Sequence, residues 1–164
     1  MASDRALSQR MLDTFDQKIL GVLQRDNRLS MAAIGDEIGL SEPSVRRRVS
    51  RLRKDGVILA DVSLVEPSRL GITVIVAVRF EKESQQTYDA FKRQINGTEE
   101  ITQCYTVAGE ADFILIGHFA DMAHYDDWVN AHLLTNPAIS RSTAHIVYRR
   151  IKFETAVPTH PHSE

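Results

Sequence analysis

The chain has 164 residues, 43% of them hydrophobic and 26% charged, a globular composition that excludes disordered and collagen-like architectures. Its formal net charge of −2, taken over the whole chain, argues against binding nucleic acid through bulk positive charge. That average conceals a division: residues 1–56 hold 11 Lys and Arg against 8 Asp and Glu, whereas residues 57–164 hold 9 against 14.

Residues 1–11 are polar and are expected to form a mobile tail. They lack the apolar run of a secretory leader, and no stretch approaches the ~18 apolar residues of a membrane span, so a cytosolic, soluble protein is expected with no membrane partner. The first periodic segment is LDTFDQKILGVLQRD, where Leu12, Phe15, Ile19, Leu20 and Leu23 recur at helical spacing. Asp13 and Asp16 fall in its first turn, where a helix N-terminus favours anions. Ser30 is the expected N-cap of a short second helix, MAAIGDEIG, ended by Gly39. A third helix follows at once, with Ser41 as N-cap and Pro43 in its first turn. Val45, Val49 and Leu52 define its buried stripe, and Gly56 stops it.

The pattern then turns strand-like. VILADVSLVEP reads as one or two short strands ended by Pro67. TVIVAVRF alternates, with Val74, Val76, Val78 and Phe80 on one face. Thr87–Ile95 is an amphipathic helix carrying Tyr88, Phe91 and Ile95. Ile101–Val107 and DFILIGHFA are two strands joined by the tight turn GEAD, a hairpin. Asp121 caps a helix in which Tyr125, Trp128, Val129, His132 and Leu133 share a face. The last strand spans roughly Ser142–Phe153. The boundaries are therefore 12–56 for the helical module, 57–71 for a β-linker, 72–153 for a ferredoxin-like β-α-β-β-α-β unit, and 154–164 for a tail.

The strands are apolar on both faces. Ile75 and Ala77 oppose the valine face, and Ile114 and Ile116 oppose Phe113, Leu115 and Phe119. Two helices cover only one face of a four-stranded sheet, so the other face calls for a second copy, packed sheet against sheet. The single Cys104 lies in an alternating run and reads as a buried small hydrophobe.

Six of the eleven N-terminal cations lie within Arg46–Lys54. At 100° per residue, with Val45 at zero, Pro43, Arg47, Ser50 and Lys54 lie opposite the buried stripe, at about 140° to 200°. Arg51 and Ser44 flank that face on one side, Arg46 and Arg53 on the other, and Arg48 lies nearer the core edge. A solvated basic face is the plain reading of such a helix. Two short helices before it, joined by the tight Gly39-Leu40-Ser41 turn, make the expected reading that of a helix-turn-helix suited to the major groove of double-stranded DNA; the alternative is a stand-alone amino-acid-binding sensor whose basic helix does not bind DNA specifically.

These segments, LDTFDQKILGVLQRDNRLS and IGLSEPSVRRRVSRLRKDGVI, resemble the N-terminal region of the Lrp/AsnC (feast/famine) family of transcription regulators. The likeness continues through VEPSRLG and YTVAGEADFILIGHF to STAHIVYRRIKF, about residues 12–153. It implies an α+β architecture: a winged-type helix-turn-helix domain, a β-linker and a ligand-sensing ferredoxin-like RAM domain. On that likeness Ser41, Pro43, Ser44 and Arg47 would touch bases, while Arg46, Arg48, Arg51 and Arg53 would mainly hold phosphates. Effectors of the family, usually amino acids, bind between RAM domains. The matching positions here are Gly109, Glu110, Ala111 and Asp112, then Asp121-Met122, then Thr143, Ala144, His145, Ile146 and Val147. Exposed turn N–H groups suit a carboxylate and Asp112 suits an ammonium, although an Asp there also simply caps a hairpin. The family implies a homodimer assembling as far as octamers.

Two positions depart from the family pattern. Gly35 stands where alanine is common, and either residue fits close helix packing. His145 stands where tyrosine is common; the alternatives are a changed effector choice, an added pH response, or a neutral filler. No HExxH, Cys-His cluster, P-loop, G-x-S-x-G or Rossmann glycine pattern is present, so no metal, cofactor or enzymatic activity is expected. His118, His124 and His132 are irregularly spaced, and His160 and His162 lie in the tail. Tyr125 and Trp128 read as core.

Overall fold

The structure, a computed structural model, describes residues 12–82 and 84–159. The tail expected at 1–11 and both His160 and His162 lie outside them. The chain divides into two compact units, Met1–Ser63 with Lys152–Glu164, and Leu64–Ile151.

The first unit contains helices α1 (Thr14–Arg25), α2 (Met31–Ile38) and α3 (Glu42–Lys54). α1 begins in a reciprocal capping box. Asp13 Oδ1 accepts from the Asp16 N–H at 2.8 Å, and the Asp13 N–H donates to Asp16 Oδ2 at 3.3 Å, which satisfies two donors that a helix start leaves open. Ser30 caps α2 by accepting from the Ala33 N–H at 3.1 Å, and Gly39 closes it at φ +78°. The buried core is Ile19, Val22, Ile34, Val45, Val49 and Leu52. Val22, rather than Phe15, supplies the second core residue of α1. Phe15 stays at the surface, where Lys18 and Arg48 sit 5.7 and 5.6 Å from its ring centre, a cation–π arrangement.

The strands expected within 57–66 do not form. Leu59, Val62, Leu64 and Val65 are exposed, Leu59 at 90%. An extended segment becomes a strand only when another backbone satisfies its N–H and C=O groups, and the single chain offers none here. For the same reason no strand follows α3 to make a wing.

The second unit is a four-stranded antiparallel sheet in the order β2-β3-β1-β4. Its elements are β1 (Ile72–Phe80), α4 (Gln85–Asn96), β2 (Ile101–Thr106), β3 (Phe113–Phe119), α5 (Met122–Val129), a π-helical turn (Asn130–Leu134) and β4 (Ile139–Ile146). Val74, Val76, Val78 and Phe80 of β1, with Phe113, Leu115 and Phe119 of β3, meet Phe91, Ile95, Tyr125, Trp128 and Leu133 from the helices. Phe80, Tyr88, Phe91 and Phe113 pack edge-to-face or tilted at 5.0–5.7 Å, the geometry that aromatic quadrupoles favour.

β4 stops at Ile146, earlier than expected. Val147 donates one more bond to Thr73 O, and Tyr148 and Ile151 beyond it are exposed. Cys104 is also exposed. It lies opposite Leu115 on β2, which borders only one strand and so leaves its outer side to solvent.

Candidate functional site

α3 carries six cations, and the structure sorts them into three groups. Arg48 and Arg51 turn toward α1. Arg48 Nη1 donates to Asp13 Oδ2 at 2.6 Å and to Asp16 Oδ1 at 2.8 Å, and Arg51 Nη2 lies 2.5 Å from Asp16 Oδ1 and 2.6 Å from Oδ2. Asp16 is 3% exposed. The Arg48 guanidinium holds the Asp13 carboxyl below its ordinary value, helped by the Asp16 N–H, and the two aspartates raise Arg48 in turn. These two arginines, for which the family resemblance implies phosphate contact, pair with the α1 carboxylates and so tie α3 to α1.

Arg46 and Arg53 form the second group, each paired with an exposed carboxylate. Arg46 pairs with Glu42 one turn earlier, and Arg53 Nη2 lies 2.8 Å from Asp61 Oδ2. Together with Met31, Val49 and Ser50 they line a shallow cleft of about 200 Å³.

Arg47 and Lys54 form the third group. Both are exposed, and neither makes an ion pair among the described residues. They are seven residues apart and share one stripe of the helix with Pro43 and Ser50. Lys54 is thereby a candidate contact that the sequence-derived set omits. Its place on the far side of the helical wheel was the signal that could have found it. Ser41 and Ser44 stand at the helix entry with their hydroxyls 3.0 Å apart.

The second candidate site draws on the sheet unit. In the β2–β3 turn, Gly109 and Glu110 are exposed, and Asp112 is partly buried. Both Asp112 oxygens already have donors: the Phe80 N–H at 2.7 Å on Oδ2 and the Tyr88 hydroxyl at 2.5 Å on Oδ1. Asp112 therefore fastens the turn to β1 and to α4.

Thr143 and His145 lie on the sheet face away from the helices. Register places them in the cross-strand rows Tyr105–Ile114–Ala77–Thr143 and Gln103–Ile116–Ile75–His145. Ile75, Ala77, Ile114 and Ile116 are half-buried there. Met122, Ile146 and Val147 stand at the opposite end of the sheet from the 109–112 turn. The seven residues of β3 put about 20 Å between the two ends. One chain thus divides the candidate effector residues into groups that a single amino acid cannot touch together.

One polar contact near the Met122 end was not anticipated. His124 Nε2 lies 3.2 Å from Glu100 Oε1, and His124 Nδ1 accepts from the Ala120 N–H at 3.3 Å.

Comparison with known proteins gives concordant matches. A family model described as the AsnC-type helix-turn-helix domain matches residues 12–53, and one described as the Lrp/AsnC ligand binding domain matches residues 73–157. An uncharacterized HTH-type transcriptional regulator of Sinorhizobium fredii is 40% identical over 149 residues, covering 90% of this chain and 88% of that protein. The glutamate uptake regulatory protein of Zymomonas mobilis is 34% identical over 151 residues, 91% and 92% of the two chains. The crystal structure of a Neisseria meningitidis transcriptional regulator in complex with L-Met superposes with a TM-score of 0.81 at 27% identity, covering 90% of this chain and 97% of that one.

Proposed function

The chain belongs to the Lrp/AsnC family of transcriptional regulators, and we propose that it is a sequence-specific DNA-binding regulator whose assembly or DNA binding responds to an amino acid. The observation that carries this reading is the α3 stripe of Pro43, Arg47, Ser50 and Lys54, which leaves two unpaired cations on the face opposite the core. Ser41, Pro43, Ser44 and Arg47 read base edges at the helix entry, and Arg46, Arg53 and Lys54 hold phosphates on the groove walls. Arg48 and Arg51 act one step back, through Asp13 and Asp16, by fixing the angle of α3.

The apolar face around Ile75 and Ile116 packs against a second copy, giving a dimer that presents two reading helices to a roughly palindromic site. Dimers assemble further, as far as an octamer. The effector binds between sheet units, the 109–112 turn coming from one copy and Met122, Ile146 and Val147 from another. The roughly 20 Å between those groups within one chain supports this arrangement. The L-Met complex of the Neisseria relative supports an amino acid as the effector class. The protein acts on double-stranded DNA in the cytoplasm and is not an enzyme.

Selection of binding sites from a random duplex pool tests the DNA reading. A defined, roughly palindromic motif is expected. Arg47→Ala should relax base preference, whereas Arg53→Ala should weaken all duplexes alike and lower the salt dependence of binding. Equal affinity for every sequence would overturn the regulator reading. A thermal-shift screen against the twenty amino acids identifies the effector, because a ligand of the native assembly raises its melting temperature by mass action.

A further inference from the structure

The flank of α3 assigned to phosphate contact is not electrostatically open. Arg53 is held by Asp61, which lies seven residues past Lys54 in the extended segment after the helix. Both side chains are nearly half exposed, at 46% and 44%. Arg46, across the cleft, is held in the same way by Glu42. Exposed pairs of this kind are weak and easily exchanged. A carboxylate on an arginine at a groove wall occupies the guanidinium edge that a backbone phosphate would take, since both anions use the same N–H fork.

We propose that Asp61 is an internal competitor of the DNA backbone, and that it sets DNA affinity from outside the interface. A phosphate arriving at Arg53 displaces the Asp61 carboxylate, so part of the binding energy is spent on breaking that pair. By reciprocity, pairing at Asp61 weakens DNA binding by the same factor as DNA weakens the pairing. The cost is paid at a phosphate and not at a base edge, so it applies equally to every sequence. It also ties occupancy of the reading helix to release of residues 59–61, just beyond Val57 and Ile58, whose N–H groups stay bonded to the Leu52 carbonyl. The inference rests on the assignment of Arg53 to phosphate contact made above.

The test uses fluorescence anisotropy of the full-length protein on a labelled 40-base-pair duplex of random sequence, at low and at high salt. Wild type, Asp61→Asn, Arg53→Gln and the double variant are compared, with Asp61→Ser as an independent removal of the carboxylate. Thermal melting confirms that each variant is folded. Asp61→Asn and Asp61→Ser should each bind about two- to fivefold more tightly at low salt, and the gain should vanish at high salt. In the Arg53→Gln background the Asp61 substitution should have no effect. Unchanged or weaker binding by both Asp61 variants would overturn the proposal while leaving the phosphate role of Arg53 standing. A gain that persists without Arg53 would reduce it to a general charge effect and overturn it. If Arg53→Gln itself binds like wild type, the phosphate assignment falls, and the competition with it.

Discussion

Arg51 Nη2 stands 2.5 and 2.6 Å from the two carboxylate oxygens of Asp16. Because Asp16 is almost fully buried and also receives Arg48, this contact ties the reading helix to α1 and gives two of its cations a structural task.

Asp16→Asn should therefore destabilise the helix-turn-helix unit by about 2–3 kcal/mol. This is below the full cost of breaking a buried pair, because both arginines keep partial access to water. Urea unfolding followed by circular dichroism measures it. Arg51→Gln should lower stability in the same assay and leave the salt slope of DNA binding unchanged, whereas Lys54→Gln should leave stability unchanged and lower the salt slope.

Gly35→Ala tests the α2–α3 turn. The turn folds back over Gly35, whose carbonyl accepts from both the Gly39 and the Leu40 N–H at 2.9 Å. A Cβ on Gly35 would collide with the Leu40 carbonyl oxygen. The expectation that alanine fits equally well is thereby corrected. Alanine improves helix propensity by up to about 1 kcal/mol, but the clash with rigid backbone should outweigh it and leave a net loss of about 1–2 kcal/mol. Thermal unfolding decides the sign.

Tyr88→Phe separates two roles of Asp112. The ring packing on Phe80 and Phe113 is retained, but the hydroxyl that donates to Asp112 is lost. A loss of about 1.5–3 kcal/mol is expected, the range for a hydrogen bond to a charged group. The shift produced by the amino acid that scores highest on wild type should persist in Tyr88→Phe. In Asp112→Ala both the melting temperature and that shift should fall. Loss of the shift in Tyr88→Phe would make anchoring of the turn, rather than the carboxylate itself, the feature the effector needs.

The depressed Asp13 carboxyl gives a pH prediction. Its folded pKa lies below the ordinary 3.8 because Arg48 donates to it. A group of this kind contributes its full stabilisation above the unfolded value and loses it as pH falls through the folded one. Thermal melts should thus hold steady from neutrality down to about pH 5 and drop below about pH 4. Asp13→Asn should lower stability at neutral pH and shrink the acid-induced drop.

Much of the architecture was legible from local patterning. Three helices, the hairpin around GEAD and the β-α-β-β-α-β order follow from hydrophobic period and capping residues, because both act over a few neighbouring positions. The valine face of β1 was correct residue by residue. The 57–66 segment and the end of β4 were not, because alternation shows that a segment can be extended but not that another backbone is there to pair with it.

The sequence by itself determined where the elements lie, which helix is basic and which family the chain resembles. Only the tertiary structure decided which cations on that helix are paired within the chain. Asp13 and Asp16 stand 32 to 35 residues from the arginines they hold, and no local rule links such positions. The same holds for Asp112, whose partner Tyr88 is 24 residues away, and for the candidate effector residues, which the sheet separates to its two ends. Charge and hydrogen bonding act through space, so their assignment waits on the fold.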